Sequence, residues 1–211
     1  MNKYLLIVVA VAALSGCVNK EIKDKAASAS DSTATNNLTQ PIDTFTDSRD
    51  GKTYKTVKIG TAVWMAENLN YAEEGICYEK KDANCAKYGR MYGWYAAKKV
   101  CPAGYHLPSD DEWTALVDYA GGGETAGTKL KSATGWDKKC NGTNDFDFSA
   151  LPGGDAGGVG YFGYAGSLGL WWSATEIDFY NASNRYMNCY KIVGWDNDDK
   201  SSLYSVRCVK D

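Results

Sequence analysis

Histidine is almost absent from this chain: His106 is the only one in 211 residues. No C-x-x-C pair occurs, so the usual Cys/His spacing of a zinc site is missing. No serine stands in a G-x-S-x-G setting, and no glycine-rich phosphate loop is present. No basic patch occurs and the formal net charge is −3, so the electrostatic footprint of a nucleic-acid binder is also lacking. No apolar run is long enough to span a bilayer, and no internal repeat is visible. These absences remove the common hydrolase, nucleotidase, zinc and membrane-spanning readings before any residue is singled out.

The one long apolar run is Tyr4 to Leu14, behind a single positive charge at Lys3. Its length suits the core of a signal peptide. It ends in Leu14-Ser15-Gly16-Cys17, small residues before a cysteine, which is similar to a bacterial lipobox. The expectation is a signal peptide over residues 1–16, cleavage before Cys17 and acyl chains on that cysteine. Several chains, at about 0.8 kcal/mol per buried CH₂, hold a protein stably on a membrane. Val18, where an aspartate commonly signals inner-membrane retention, points to the outer membrane or cell surface. Residues 17–44 are rich in Lys, Asp, Ser, Thr, Ala and Asn and read as a flexible lipidated tether. Residues 45–211 suit one domain.

Six cysteines fall in that domain: Cys77, Cys85, Cys101, Cys140, Cys189 and Cys208. An even number in an exported domain predicts three disulfides, with fifteen possible pairings among which the sequence alone does not choose. The preferred set is Cys77–Cys85, which closes the polar loop CYEKKDANC, then Cys101–Cys208, and Cys140–Cys189 by elimination.

The clearest local signal is Cys101 to Trp113, CPAGYHLPSDDEW. Ser109 followed by Glu112 is a capping box, and Asp110 and Asp111 suit the first turn of a helix. Trp113, Leu116, Val117 and Ala120 recur at helical spacing, and Gly121 to Gly123 stop the helix. Upstream, Tyr54, Val57 and Ile59, a Gly60-Thr61 turn and Ala62 to Met65 predict a meander of short strands. Tyr88 to Cys101 predicts an extended start and a short helical end. Thr125 to Ala133 suits a further helical turn or two, and Phe146 to Pro152 a short extended segment. Gly153 to Trp172 reads as a long glycine- and aromatic-rich loop. Trp172–Thr175, Arg185–Tyr190 and Tyr204–Val209 read as three strands, with Gly194–Ser202 as a polar turn.

The segments GKTYKTVKIGTAVWMAENLNY, YGRMYGWYAAKKVCPAGYHLPSDDEWTAL, AGTKLKS, DFSALPGG, WWSAT and YSVRCVKD, in that order, resemble the Fibrobacter succinogenes major paralogous domain family. That family is grouped with the C-type-lectin-like fold shared by formylglycine-generating-type domains. The resemblance implies an α+β, C-type-lectin-like domain: a small twisted antiparallel sheet, one main helix, long loops and disulfides. It also favours Cys101–Cys208, because such folds tie the first helix region to the last strand. The family consists of exported bacterial proteins, often lipoproteins, and implies no particular chemistry.

Candidate ligand residues come from the loops. Tyr161, Tyr164, Trp171, Tyr180 and Trp195 are aromatics in loop-like context, suited to stacking on sugar rings. Asp196, Asn197, Asp198 and Asp199 form the densest oxygen cluster, the ligand type calcium prefers; Glu176, Asp178 and Asn181 form a second. No resident cofactor is expected apart from that possible calcium. His106 suits local packing and hydrogen bonding better than catalysis, and Trp113 and Trp172 suit the core. The leading expectation is a cell-envelope lipoprotein, not an enzyme, whose lectin-like module binds glycan or a surface protein. The alternatives are an envelope assembly lipoprotein without a small ligand and a formylglycine-generating-type enzyme, which needs a free thiol.

Overall fold

A computed structural model describes residues 43–137, 139–157 and 160–211. The signal peptide, Cys17 and nearly all of the expected tether lie outside the described residues. Among the described residues no helix is long and apolar enough to cross a membrane.

The domain opens with β1 (Asp43–Thr46), β2 (Thr53–Ile59) and β3 (Ala62–Met65), the expected meander. Asp43 and Thr44 pair with Thr56 and Lys55, so the fold begins inside the stretch assigned to the tether. Asp50-Gly51 and Gly60-Thr61 make the two turns, with both glycines at positive φ. A 3₁₀ turn at Tyr78–Lys80 leads into α1 (Asp82–Tyr88). Next come β4 (Met91–Tyr92), α2 (Trp94–Val100), β5 (Tyr105–His106), α3 (Asp110–Tyr119) and α4 (Ala126–Leu130). The extended start and helical end expected before Cys101 are β4 and α2. Phe146 to Pro152 is irregular, with a single isolated bridge, Lys131–Ala150, in place of the expected extended segment.

The long glycine-rich stretch contains a small hairpin, β6 (Asp155–Ala156) with β7 (Phe162–Gly163), and then enters β8 (Gly169–Glu176). After it come β9 (Asn181–Met187), β10 (Gly194–Asp199), β11 (Tyr204–Ser205) and β12 (Val209–Lys210). The predicted polar turn at 194–202 is therefore mostly a strand, antiparallel to β9.

One sheet was expected, and two five-stranded sheets form, in the orders β1-β2-β3-β12-β5 and β10-β9-β8-β11-β4. All pairings are antiparallel except β11 with β8. The single predicted terminal strand is split between them. Ser205 pairs with Trp171 in one sheet, and Val209 pairs with Trp64 and His106 in the other. Between these points the chain stays bonded, Leu69 N–H donating to Val206 O and Met65 N–H to Cys208 O. The fold is thus α+β, mostly sheet, with few helices.

α3 behaves as its sequence dictates. Ser109 accepts from the Glu112 N–H, and the Glu112 carboxylate accepts from the Ser109 N–H at 2.8 Å. Trp113 leads its apolar face into an aromatic cluster, 5.0 Å from Trp64, 6.1 Å from Phe148 and 6.3 Å from Trp171. The opposite face of β8 carries Trp172, 4.4 Å from Tyr204, in a second core with Tyr92, Trp94 and Leu170. Three disulfides form: Cys77–Cys85, Cys101–Cys208 and Cys140–Cys189.

Candidate functional site

Strands β8 and β9 join through Ile177–Tyr180 at one end of their sheet. Asp178 shapes this tip. Its carboxylate accepts from the backbone N–H groups of Tyr180 (2.8 Å) and Asn181 (2.7 Å) and from the Asn181 side chain. Hydrogen bonding from Asn181 and then Tyr180 holds the Asp178 carboxyl below its usual range. Beneath the tip lies Lys200, only 4 % exposed. Its ammonium donates to Glu176 Oε1 (2.5 Å), Asp178 O (2.5 Å) and Phe179 O (2.9 Å). The same ammonium stands 4.9 Å from the Trp94 ring and 5.8 Å from the Tyr95 ring. A buried cation is retained only where it is paired and hydrogen-bonded, and here the tip backbone provides two of its acceptors.

The result is a stiff backbone carrying apolar side chains outward. Phe179 is 78 % exposed and Tyr180 68 %, with their rings 4.9 Å apart and perpendicular. Ile177 and Tyr95 are exposed as well. Exposed aromatics gathered on one rigid turn mark an interaction surface more strongly than scattered ones.

The other expected residues fall elsewhere. Trp171 is a correction: it is 0 % exposed, and its Nε1 donates to Asn68 Oδ1 at 2.9 Å. It sits on central β8, covered by α3 on its face, and cannot meet a ligand. Tyr161 and Tyr164 are exposed beside the β6–β7 hairpin. Trp195 is exposed on β10, opposite Arg185. The aromatics are therefore brought together only in pairs. Tyr180 pairs with Phe179 on the Ile177–Tyr180 turn, and Tyr95 stands beside the same Lys200 ammonium that holds the turn; loop composition singled out neither Phe179 nor Tyr95.

Asp196 to Asp199 are corrected too. On a strand, successive side chains point to opposite faces, so the four do not converge as they would in a turn. Asp198 accepts from Asn184 and Tyr204 (both 2.8 Å), Asp196 from the Asn197 N–H and Asp199 from the Ser201 N–H. Glu176 and Asp178 are committed to Lys200 and to the tip. Among the described residues no group of three His, Cys, Asp or Glu side chains is arranged to hold a metal ion.

His106 lies between two carboxylates, Nδ1 at 2.6 Å from Asp211 and Nε2 at 2.9 Å from Glu112. Burial acts to lower its proton affinity, but the bonds to Asp211 and Glu112 outweigh it, and the net shift is upward. A base with a raised folded pKa stabilises the fold fully below its unfolded value, and that contribution is lost as pH rises through the folded value. Melting curves of the wild type and H106Q are therefore expected to differ most at mildly acid pH. The gap should close as pH climbs from about 6.5 upward. A gap that widens with pH contradicts this assignment.

A groove of about 540 Å³ lies along β1, β2 and residues 103–105, with the Phe45 and Tyr105 ring centroids 4.6 Å apart and the rings tilted. None of the expected ligand residues lines it.

Fold and site together define a disulfide-stapled α+β domain that presents an aromatic turn from the end of a sheet. The family model of the Fibrobacter succinogenes major domain matches residues 57–210, most of the chain, and the protein belongs to that family. No curated protein and no solved structure matches it.

Proposed function

We propose that this chain is a binding module of C-type-lectin-like architecture, displayed from the bacterial cell envelope on a lipidated tether, whose aromatic tip receives carbohydrate. The observation that carries the reading is the exposed Phe179–Tyr180 pair on a backbone fixed by buried Lys200. Rigid aromatics lose little entropy on binding, and their faces suit the CH surfaces of sugar rings. The lectin-like assignment draws on the Cys101–Cys208 bridge between the approach to α3 and the chain end, and on α3 packed against the sheet. The lipobox motif argues for the envelope. Binding without catalysis fits the paired state of the six domain cysteines, which leaves the formylglycine-generating chemistry without its thiol.

Affinity electrophoresis against cell-wall polysaccharides tests this. The F179A/Y180A double variant is expected to weaken any glycan binding at least about 30-fold, the effect of losing a hot spot of about 2 kcal/mol. W195A and Y164A should leave it unchanged. Undiminished binding by F179A/Y180A rejects the tip. No binding by the wild type to any polysaccharide rejects carbohydrate and leaves envelope assembly as the better reading.

A further inference from the structure

The groove beside β1 belongs to the sheet β1-β2-β3-β12-β5, and the aromatic tip to the other sheet. Strand register lays out its floor. Lys58 on β2 pairs with Val63 on β3. Val209 pairs with Trp64, which sets Lys210 beside Val63, and Lys210 pairs with Tyr105 on β5. Side chains directly opposite on neighbouring strands share a face, and these four line the groove. The two lysines stand two strand spacings apart, about 10 Å between Cα atoms, so their side chains can close on one anion. Both are exposed, and neither joins an ion pair among the described residues.

Thr56, two positions before Lys58 on the same face of β2, continues the floor. It is 3 % exposed, yet its hydroxyl bonds no group among the described residues. Buried polar groups nearly always have a partner, so this hydroxyl calls for one in the groove. The wall is apolar. Phe45 and Tyr105, from the two strands at the ends of the sheet order, meet with ring centroids 4.6 Å apart. The open edges of β1 and β5 are thereby drawn together. Among the described residues Asp43 is the one carboxylate in the lining, and its Oδ1 accepts from the Thr44 N–H at 2.8 Å. Lys58 and Lys210 against Asp43 leave one positive charge in excess, which a single carboxylate matches. The Phe45 and Tyr105 rings are half-buried, unlike those of the tip. They offer a wall for an aliphatic side chain rather than an open face for a sugar ring.

We propose that this groove holds an extended peptide segment of a partner protein, one that carries a carboxylate next to an aliphatic side chain. The carboxylate lies between Lys58 and Lys210 and accepts from the Thr56 hydroxyl. The aliphatic side chain packs on Phe45, Val63 and Tyr105. The peptide backbone runs between the open edges of β1 and β5, where an added strand finds unpaired backbone groups. The carboxylate belongs either to an acidic side chain or to a free chain end, which present the same chemistry to the two lysines. The site takes no residue from the aromatic tip and stands apart from its carbohydrate reading.

Chemical-shift titration of the full, oxidised, isotope-labelled chain with three peptides tests this. They are acetyl-Thr-Leu-Glu-Leu-Thr-amide, the same peptide with Gln for Glu, and acetyl-Thr-Leu-Leu with a free carboxyl end. The expected result is saturable shifts at Thr56, Lys58, Tyr105 and Lys210 with a carboxylate peptide, the tighter of the two identifying the source. The Gln peptide and the K58Q/K210Q variant should each cost at least about tenfold in affinity, the loss of a charge-assisted hydrogen bond. T56V should cost about threefold. Both lysines are exposed and unpaired, and the Thr56 hydroxyl has no partner to lose, so the variants keep the wild-type melting temperature. F179A/Y180A should bind the peptides unchanged, which separates failure here from failure of the tip. The proposal is overturned if neither carboxylate peptide gives saturable shifts at about 10 mM, well above millimolar affinity. It is also overturned if the Gln peptide binds as tightly as its Glu counterpart, or if K58Q/K210Q keeps the wild-type affinity. A glucuronate disaccharide binding the groove more tightly than either peptide overturns it as well and assigns the groove to acidic sugar.

Discussion

Replacing Asn68 by leucine is expected to lower the unfolding free energy by about 3–5 kcal/mol, although the side chain belongs to no predicted site. Asn68 is 5 % exposed, and its Oδ1 receives three donors. These are Trp171 Nε1 at 2.9 Å, Arg207 Nη2 at 2.8 Å and Arg207 Nε at 3.2 Å. Its Nδ2 donates in turn to Tyr88 O at 2.8 Å. Arg207 is 0 % exposed and, among the described residues, pairs with no carboxylate; its remaining donors go to Phe148 O and to Ser149 O. Burial pulls its proton affinity down to about 9, so it is still charged at neutral pH. One amide oxygen therefore anchors a charge inside the fold, at the point where the chain crosses from one sheet to the other. Leucine leaves that charge with only two carbonyls. R207M removes the charge along with its needs and should be milder, about 1–3 kcal/mol. Urea unfolding of both variants gives the comparison. N68L within about 1 kcal/mol of the wild type, or milder than R207M, contradicts the anchoring role.

Removing the Cys101–Cys208 bridge as C101A/C208A is expected to be the most damaging of the three disulfide deletions. The bridges span 8, 49 and 107 residues. Loop-closure entropy assigns them roughly 2.5, 4.1 and 4.8 kcal/mol respectively. The longest has a packing role as well. Cys208 is fully buried between the two sheets, its carbonyl accepting from Met65 N–H. Thermal melts of the three alanine double variants should rank in the order of loop length, with C77A/C85A mildest. If C77A/C85A proves as damaging as C101A/C208A, loop entropy does not govern the contribution of these bridges.

Local signals carried the sequence reading furthest. The capping box at Ser109 and Glu112 is a contact within one turn, so it could be read without the fold, and α3 follows from it. The β2–β3 turn and the helical end before Cys101 were legible for the same reason. Features set by distant partners were not. Trp171 closes a glycine-rich stretch that looks like a loop, although the adjacent Trp172 was expected in the core and at a strand start. They are both buried because β8 is flanked by β9 and β11 and covered on both faces. Asp196 to Asp199 look like a turn because β10 is an edge strand, where charged residues are favoured. α1 hides in the polar CYEKKDANC segment, too short for periodicity and closed by a disulfide. The tip was half legible. Tyr180 was visible as a loop aromatic, but its grouping with Tyr95 depends on Lys200, distant in sequence from both. An Ile-Asp-Phe-Tyr-Asn turn between two strands was the available signal.

The most direct test of the aromatic tip as the ligand site is a chemical-shift titration of the oxidised, isotope-labelled protein with each polysaccharide fragment retained in the electrophoretic screen. The account predicts saturable shifts confined to residues 176–181, Tyr95 and Lys200. Shifts confined to β10 or to Tyr161 and Tyr164, with the tip silent, would contradict it.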